Sequence, residues 1–285
     1  MKSLLECITD AEQRGVAIGH FNISDSEGFK AVVEAATLLQ VPVIIGVSEG
    51  EREFIGLEEV AALVEVAKGN GMEIFLNADH TYSVEKAREA FDAGADSVII
   101  DGAAKSFEEN VSMTKEVVEY AKTRNKGQLI EGELGFIGMS SKMLDTIPEG
   151  VSKETQTRPE DAKDFVSQTN IDLLAPSVGN IHGMIKTGNP KLNIERIKAI
   201  REAAGVPLVL HGGSGISDED FRAAIGSGIS VIHINTELRL AYKEGIEEGL
   251  KSGEIAPYKF MKAAVEEMKR VVTEKLRLFN MLDKI

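Results

Sequence analysis

The chain has 285 residues, a length that fits one large α/β domain or two smaller domains. Its net charge of −14 at pH 7 argues against nucleic acid or an anionic membrane as a partner, but it does not exclude a small anionic substrate, which a few local donors can bind. Cys7 is the only cysteine, so an internal disulfide is impossible. The charged N-terminus lacks a signal-peptide core, and both features favour a cytoplasmic protein.

Short β-rich runs alternate with helical patterns along the chain. We predict strands at residues 16–21, 43–47, 73–77, 97–101, 128–133, 171–178, 207–211 and 230–235. We predict helices at residues 25–39, 57–68, 83–92, 110–122, 161–168, 192–204, 217–227, 236–250 and 257–278. The chain therefore contains eight strand–helix units, each about 30 residues long, which is the size of a βαβ building block.

Several predicted strands are apolar without alternation, at residues 43–45, 98–100 and 208–210. Such runs are typical of strands covered on both faces in a parallel sheet. Eight units favour an α/β fold, a (β/α)8 TIM barrel with an extra C-terminal helix, formed as a single catalytic domain over residues 1–285. The alternative is an open doubly wound sheet, but no Gly-x-Gly-x-x-Gly follows the first strand.

Two connections are longer than plain turns, at residues 135–158 and 179–191. Long loops after barrel strands are usually functional, so we expect them to cover or line a site. No lysine lies within the predicted strands, apart from their imprecise edges. This disfavours a buried Schiff-base lysine.

The histidines share one placement. All five lie at or just after the predicted carboxyl end of a strand, as His20, His80, His182, His211 and His233. Four acids follow the same pattern, Asp79, Asp101, Glu131 and Glu133. This rim carries the active site in barrel enzymes, and scattered structural histidines would have no reason to choose it. Three histidines from separate strands can supply the protein ligands of a catalytic Zn²⁺ with one open position, namely His80, His182 and His211.

A glycine-rich segment follows the seventh predicted strand and reads His211-Gly212-Gly213-Ser214-Gly215. Glycines let backbone amides approach an anion, and the serine hydroxyl adds a donor. Barrel enzymes often bind phosphate with the loops after strands seven and eight. Asn235 and Thr236 follow the eighth strand at a helix N-terminus and suit the same task. We therefore predict a phosphate site formed by these two loops.

In chain order, the motifs resemble those of the class II, metal-dependent ketose-bisphosphate aldolases. The matching segments cover nearly the whole chain and read Phe21-Asn22, Asn77-Ala78-Asp79-His80, Ser97-Val98-Ile99-Ile100-Asp101-Gly102, Glu131-Gly132-Glu133-Leu134-Gly135, Val178-Gly179-Asn180-Ile181-His182-Gly183, His211-Gly212-Gly213-Ser214-Gly215 and Thr236-Glu237-Leu238. The resemblance implies a (β/α)8 barrel and a Zn²⁺-dependent aldolase that reversibly cleaves fructose 1,6-bisphosphate. The alternatives are tagatose 1,6-bisphosphate or another phosphorylated keto sugar. A barrel hydrolase would leave the phosphate segment unused, and a non-enzymatic barrel would bind no metal.

The resemblance also implies roles for individual residues. The Zn²⁺ ligands are His80, His182 and His211, and a second divalent or monovalent cation would lie near Asp101 and Glu133. Asp79 is implied to donate a proton to the aldehyde oxygen, or to accept the C4 hydroxyl proton during cleavage. The dihydroxyacetone-phosphate end is implied to bind at Gly183, Gly212, Ser214 and Thr236, and the polar positions near the substrate are Asn22 and Ser48. The family is oligomeric, so we expect a homodimer or homotetramer.

The chain departs from the family pattern in three places. Asn77 replaces the first histidine of His-x-Asp-His, which is not a required ligand. His233 replaces an asparagine that contacts the triose phosphate. We expect His233 to donate to the substrate and to make the rate pH-sensitive near neutrality, although it could instead be structural, one layer deeper. The connection after residue 135 lacks the acidic cluster common there and offers three other acids, Asp145, Glu149 and Glu154.

Overall fold

The computed structural model describes residues 1–124, 126–138, 141–186, 188 and 191–282. Eight parallel strands form a closed barrel: β1 (Ile18–Asn22), β2 (Val43–Val47), β3 (Ile74–Thr81), β4 (Ser97–Ile100), β5 (Leu129–Leu134), β7 (Leu173–Pro176), β9 (Leu208–Leu210) and β10 (Ile229–Ile234). Consecutive barrel strands are neighbours, and β1 closes the barrel against β10. Two short strands in the long connections pair with each other, β6 (Met143–Leu144) and β8 (Met184–Ile185). Parts of both connections lie outside the described residues, at 139–140, 187 and 189–190.

Helices connect the strands and cover the outside of the barrel. They are α1 (Leu4–Arg14), α2 (Ser26–Leu39), α3 (Glu49–Ile55), α4 (Leu57–Gly69), α5 (Val84–Ala93), α6 (Phe107–Arg124), α7 (Pro159–Thr169), α8 (Ile194–Ala204), α9 (Asp218–Ile225), α10 (Thr236–Leu250), α11 (Pro257–Phe260) and α12 (Lys262–Phe279). The predicted (β/α)8 barrel with an extra C-terminal helix is confirmed. No described helix has both the length and the apolar character that a membrane crossing requires.

Helix α1 closes the amino-terminal mouth of the barrel. A capping box begins it, in which Ser3 N–H donates to Glu6 at 2.7 Å, and Gly15 ends it in the left-handed conformation at φ 66°. Its apolar side joins a cluster with the lowest layer of strand side chains, through Leu4, Cys7, Ile8 and Ala11. Burial raises the pKa of the Cys7 thiol to about 12, so this cysteine acts as an apolar core residue.

The C-terminal helix α12 packs on its own barrel, against α2 and α10. Two glycines of α10 allow the close approach of this helix and of α11: a Cβ on Gly245 would lie 2.4 Å from Ala264 Cα of α12, and one on Gly249 would lie 2.0 Å from Phe260 O of α11. Lys269 Nζ adds an ion pair to Glu34 of α2 at 2.8 Å. The buried apolar side chains of α12 therefore stabilise the barrel itself.

Candidate active site

A cleft of about 480 Å³ opens at the carboxyl ends of the barrel strands. It is lined by nearly all of the predicted site residues, Asn22, Ser48, Asp79, His80, Asp101, Glu133, His182, Gly183, His211, Gly212, Ser214, His233, Asn235 and Thr236. The rim predicted from the sequence thus brings residues from all eight barrel strands or their loops into one space.

A bulge in β3 aims two consecutive side chains into the cleft. The pairing of β3 with β4 shifts register between Ala78 and Thr81, and His80 has a left-handed φ of 39°. Consecutive strand residues normally point to opposite faces, but an extra residue in a bulge re-aims one of them. Asp79 and His80 therefore both line the cleft. A strained backbone at a non-glycine residue is often found where a site requires it.

Three histidine rings converge at the floor of the cleft. The ring centroid of His80 lies 4.7 Å from that of His182 and 4.9 Å from that of His211. One nitrogen from each of the three rings lies within 4.8 Å of the other two. Burial and the neighbouring His80 hold the pKa of His182 well below its usual value, which keeps this imidazole neutral, as a metal ligand must be.

Carboxylates fix the orientation of two of these rings. His80 Nδ1 lies 2.9 Å from Asp101 Oδ2, and His211 Nε2 lies 2.7 Å from Glu131 Oε1. Because a carboxylate accepts, both of these nitrogens carry a proton, which leaves the other nitrogen of each ring to contact a further group. Metal-binding histidines usually have such a partner on the outer nitrogen.

The other nitrogens of these two rings face each other. His80 Nε2 and His211 Nδ1 are 3.2 Å apart, and without a bound cation a proton on His80 joins them by a hydrogen bond. Burial opposes the charge, but Asp79 and the hydrogen bond to Asp101 outweigh burial and raise the pKa of His80 to about 10, so a bound cation would replace this proton. A further buried acceptor, Glu133 Oε2, has no hydrogen-bond partner among the described residues. His80, Asp101 and Glu133 also form a second group of potential ligands. The donor set fits a divalent cation held by nitrogen, with carboxylates beside it.

Asp79 is buried beside this cluster and is held by its neighbours. Its Oδ2 accepts from Asn22 Nδ2 at 2.8 Å, and its Oδ1 lies 3.5 Å from His233 Nδ1 and 3.9 Å from His80 Nε2. Burial opposes the charge, but His80 and His233 outweigh burial and hold the pKa of Asp79 well below its usual value. Asp79 is thus a fixed carboxylate, next to the place where a cation would bind.

His233 lies in a stack of rings. It is stacked on His20 with centroids 3.4 Å apart and contacts His211 at 3.9 Å. The His20 ring fits because Gly46 of β2 has no side chain: a Cβ at Gly46 would lie 2.0 Å from the ring. His20 Nε2 also lies 3.1 Å from Asn77 Oδ1. The sequence placed His20 on the rim, but its pairing with His233 depends on how β1 and β10 pack.

The expected titration of His233 near neutral pH is wrong. Burial, followed by the nearby His211, lowers the pKa of His233 to about 4. The imidazole is therefore neutral at physiological pH, and we no longer expect it to make the rate pH-sensitive there. It does line the cleft, and its Nε2 is buried with no partner among the described residues.

The loops after β9 and β10 form a small polar cradle. Ser214 Oγ accepts from Glu237 N–H at 3.2 Å, and Gly215 N–H donates to Glu237 Oε1 at 2.6 Å. These contacts join the glycine-rich loop to the first turn of α10, whose N-terminus carries a partial positive charge. Asn235 Oδ1 is buried and has no hydrogen-bond partner in the described part of the chain, and Thr236 begins the helix. The arrangement fits an anionic group such as a phosphate.

Gly213 requires a correction. It does not line the cleft, because it packs on the backbone of β10. Its N–H donates to His233 O at 3.0 Å, and a Cβ at this position would lie 2.7 Å from the same oxygen. We therefore replace the predicted phosphate contact with a packing role, since its donor is already used.

The acids of the long connection do not reach the cleft. Asp145 is exposed and pairs with Lys186 at 2.8 Å, while Glu149 and Glu154 face solvent. The residues of this connection that do line the cleft are Phe136, Gly138 and Ser141.

A parallel barrel with a histidine–carboxylate cluster and an anion cradle at its carboxyl rim is typical of metal-dependent barrel enzymes that act on phosphorylated small molecules. Comparison with known proteins narrows this class. The family model "Fructose-bisphosphate aldolase class-II" matches residues 2–284. A fructose-bisphosphate aldolase of Staphylococcus epidermidis is 38% identical over 284 residues, covering 98% of this chain and 96% of the relative. A fructose-bisphosphate aldolase of Geobacillus stearothermophilus is 37% identical over 286 residues, with the same two coverages of 98% and 96%.

Solved structures agree with the sequence comparisons. The YdjI aldolase from Escherichia coli superposes with a TM-score of 0.83 at 32% identity, covering 98% of this chain and 97% of that one. A structure described as a putative fructose-1,6-biphosphate aldolase from Coccidioides immitis also gives 0.83, at 27% identity, covering 97% of this chain and 95% of that one. The chain belongs to the class II fructose-bisphosphate aldolase family, a metal-dependent family, and it is an aldolase, a lyase that acts on carbon–carbon bonds.

Proposed function

We propose that this protein is a Zn²⁺-dependent aldolase that reversibly cleaves fructose 1,6-bisphosphate into dihydroxyacetone phosphate and glyceraldehyde 3-phosphate. Residues 1–285 act as a single catalytic domain. The proposal is supported above all by the ring nitrogens of His80, His182 and His211, which lie within 4.8 Å of one another beside the carboxylate of Asp79. That arrangement combines a cation site with a proton-transfer group, and both face the same cleft as the phosphate cradle.

His80, His182 and His211 hold the metal, with Asp101 and Glu133 available to a second cation. A bound Zn²⁺ supplies a Lewis acid that polarises the ketose carbonyl and offsets the negative charge left by C3–C4 cleavage. Asp79 accepts the proton of the C4 hydroxyl during cleavage and returns it to the aldehyde oxygen during condensation.

The cradle orients the substrate. Backbone and side-chain donors at Gly183, Gly212, Ser214 and Thr236 bind the phosphate of the dihydroxyacetone-phosphate end, next to Asn235. Phosphate binding in the cradle holds the reacting carbon next to Asp79, so part of the binding free energy is used to orient the substrate. Asn22, which donates to Asp79, and Ser48 would contact the sugar near C4.

His233 contacts the substrate as a hydrogen-bond acceptor. Its Nδ1 faces the Asp79 carboxylate at 3.5 Å, so the proton of the neutral ring belongs on Nδ1. The unpartnered Nε2 then offers a lone pair to a sugar hydroxyl. An amide in this place would offer either a donor or an acceptor, whereas this imidazole offers only the acceptor.

The protein acts in the cytoplasm as a homodimer or homotetramer, as the resemblance to an oligomeric family suggests. The small phosphorylated sugar is its substrate, and neither nucleic acid nor a membrane is a partner. A monomer mass in solution would contradict the proposed assembly.

Cleavage assays on two sugars test the proposed substrate. Fructose 1,6-bisphosphate and tagatose 1,6-bisphosphate differ at C4, the carbon whose hydroxyl meets Asp79. We expect the higher kcat/KM with the fructose sugar, measured by a coupled assay of triose phosphate release. A higher kcat/KM with the tagatose sugar would move the assignment to that substrate. No cleavage of either would contradict the proposed activity.

A further inference from the structure

A buried glutamate organises the wall of the cleft beside Asp79. Glu51 lies in the first turn of α3, and only 6% of its surface is exposed. Neither the motifs nor the proposed chemistry assigns it a role. Acidic side chains are seldom this buried without partners, so its contacts indicate what it does.

Both carboxylate oxygens of Glu51 accept hydrogen bonds. Oε2 accepts from Ser48 N–H at 2.8 Å, from Ser48 Oγ at 2.8 Å and from Asn22 Nδ2 at 2.9 Å. Oε1 accepts from Arg239 Nη2 of α10 at 2.8 Å. Glu51 thus joins the loop after β2, the end of β1 and the first turn of α10, on one side of the cleft.

Asn22 connects this carboxylate to the active-site aspartate. Its amide nitrogen donates to Glu51 at 2.9 Å and to Asp79 Oδ2 at 2.8 Å. An amide has two N–H groups, so both are committed to these two carboxylates. Glu51 therefore decides which end of the Asn22 amide faces Asp79. If the amide turned over, its oxygen would face the Asp79 carboxylate and repel it.

Helix capping does not account for these contacts. Ser48 and Glu51 do form a capping box, but α6 has one with the same geometry, in which Ser106 N–H and Oγ donate to Glu109 at 3.0 and 2.8 Å. Glu109 is fully exposed, whereas Glu51 is buried and has two further partners, Asn22 and Arg239. Capping alone needs neither burial nor these partners.

We propose that Glu51 is a positioning residue for Asp79 and acts through Asn22. The carboxylate holds the Asn22 amide with its N–H groups toward Asp79, which fixes the Asp79 carboxyl beside the metal site. Glutamine cannot do this, because one of its two terminal groups is a donor and would face either Arg239 or the donors of Asn22 and Ser48. The inference rests on the proposed aldolase activity.

The central test is Glu51→Gln, with Glu109→Gln as the matched control. Both changes remove the charge of a capping-box glutamate, but only one lies beside Asn22. We expect Glu51→Gln to lower kcat by about 10–100-fold, as loss of a supporting hydrogen-bond partner commonly does. KM and bound metal should stay near the wild-type values, and Glu109→Gln should keep the wild-type kcat.

A double-mutant cycle with Asn22→Ala tests whether Glu51 acts through Asn22. Because Glu51 acts through Asn22, the double variant should be no slower than Asn22→Ala alone, with metal content unchanged throughout. Should Glu51→Gln fail to fold, Asn22→Ala must by itself lower kcat without loss of metal.

Three results would overturn the inference: a wild-type kcat in Glu51→Gln or in Asn22→Ala, loss of metal as the cause of a low kcat, or independent, multiplying effects of the two changes. An inactive wild type would instead contradict the proposed function, and the inference with it. An active wild type with an unaffected Glu51→Gln variant would contradict the inference alone.

Discussion

Replacing His182 with alanine should empty the metal site and abolish cleavage. His182 contributes one of three nitrogens that lie within 4.8 Å of one another. A catalytic metal site with three protein ligands has no spare ligand, and the two remaining histidines are already directed by carboxylates on their outer nitrogens. Metal analysis of the purified variant by mass spectrometry, beside the wild type, measures the effect.

Loss of metal should occur only when a residue that binds the metal is replaced. Asp79→Ala is the matched control, because it removes a group next to the site but no ligand. Zinc retained at full occupancy in His182→Ala would remove this residue from the ligands and leave the cation to His80, His211 and the carboxylates.

Replacing Asp79 with alanine should keep the metal and lower kcat by about 10²–10⁴-fold, the usual cost of losing a general acid–base group. Asp79 lies 3.9 Å from His80 Nε2 and is held by Asn22 at 2.8 Å, whereas Asp101 and Glu133 contact Nδ1 on the outer side of the same ring. Steady-state kinetics and metal content are measured on the same preparation.

The control for Asp79→Ala is Asp164→Ala, which removes an exposed aspartate of α7 and should leave kcat unchanged. An Asp79→Ala variant with full metal and a kcat within a few-fold of the wild type would show that proton transfer uses another group. Asp101 and Glu133, which also line the cleft, would then be the next residues to replace.

The sequence predicted the barrel because its main signals are local and repeated. Eight apolar runs of strand length alternate with amphipathic helices, and parallel strands covered on both faces need no long-range information to be recognised. The predicted strand at residues 43–47 matches β2, and the others differ from the observed strands mainly at their ends. Helices α1 and α3 were missed: α3 has only seven residues, and α1 precedes the first strand and so lies outside the strand–helix units.

The sequence predicted which end of the barrel carries the candidate site, but not how the side chains of the site are arranged. Strand ends place His80, His211 and Asp79 together in any parallel barrel, which explains why the set could be found. The stack of His20 on His233 depends on the space left by Gly46 on a neighbouring strand, and a single sequence does not reveal that packing.

The contacts of Glu51 could not be predicted from the sequence either. The spacing Ser48-x-x-Glu51 is visible in the sequence and predicts a helix start. Its contacts with Asn22 and Arg239 join positions far apart in the chain, separated by 29 and 188 residues. Only the closure of the barrel between β1 and β10 brings these positions together.

The measurement that tests the account most directly is cleavage of fructose 1,6-bisphosphate before and after removal of the metal. We predict that the purified protein contains zinc, that EDTA abolishes cleavage, and that added Zn²⁺ restores it. Borohydride in the presence of substrate should have no effect, because no lysine forms a Schiff base. Cleavage that survives EDTA and is lost with borohydride would contradict the metal mechanism.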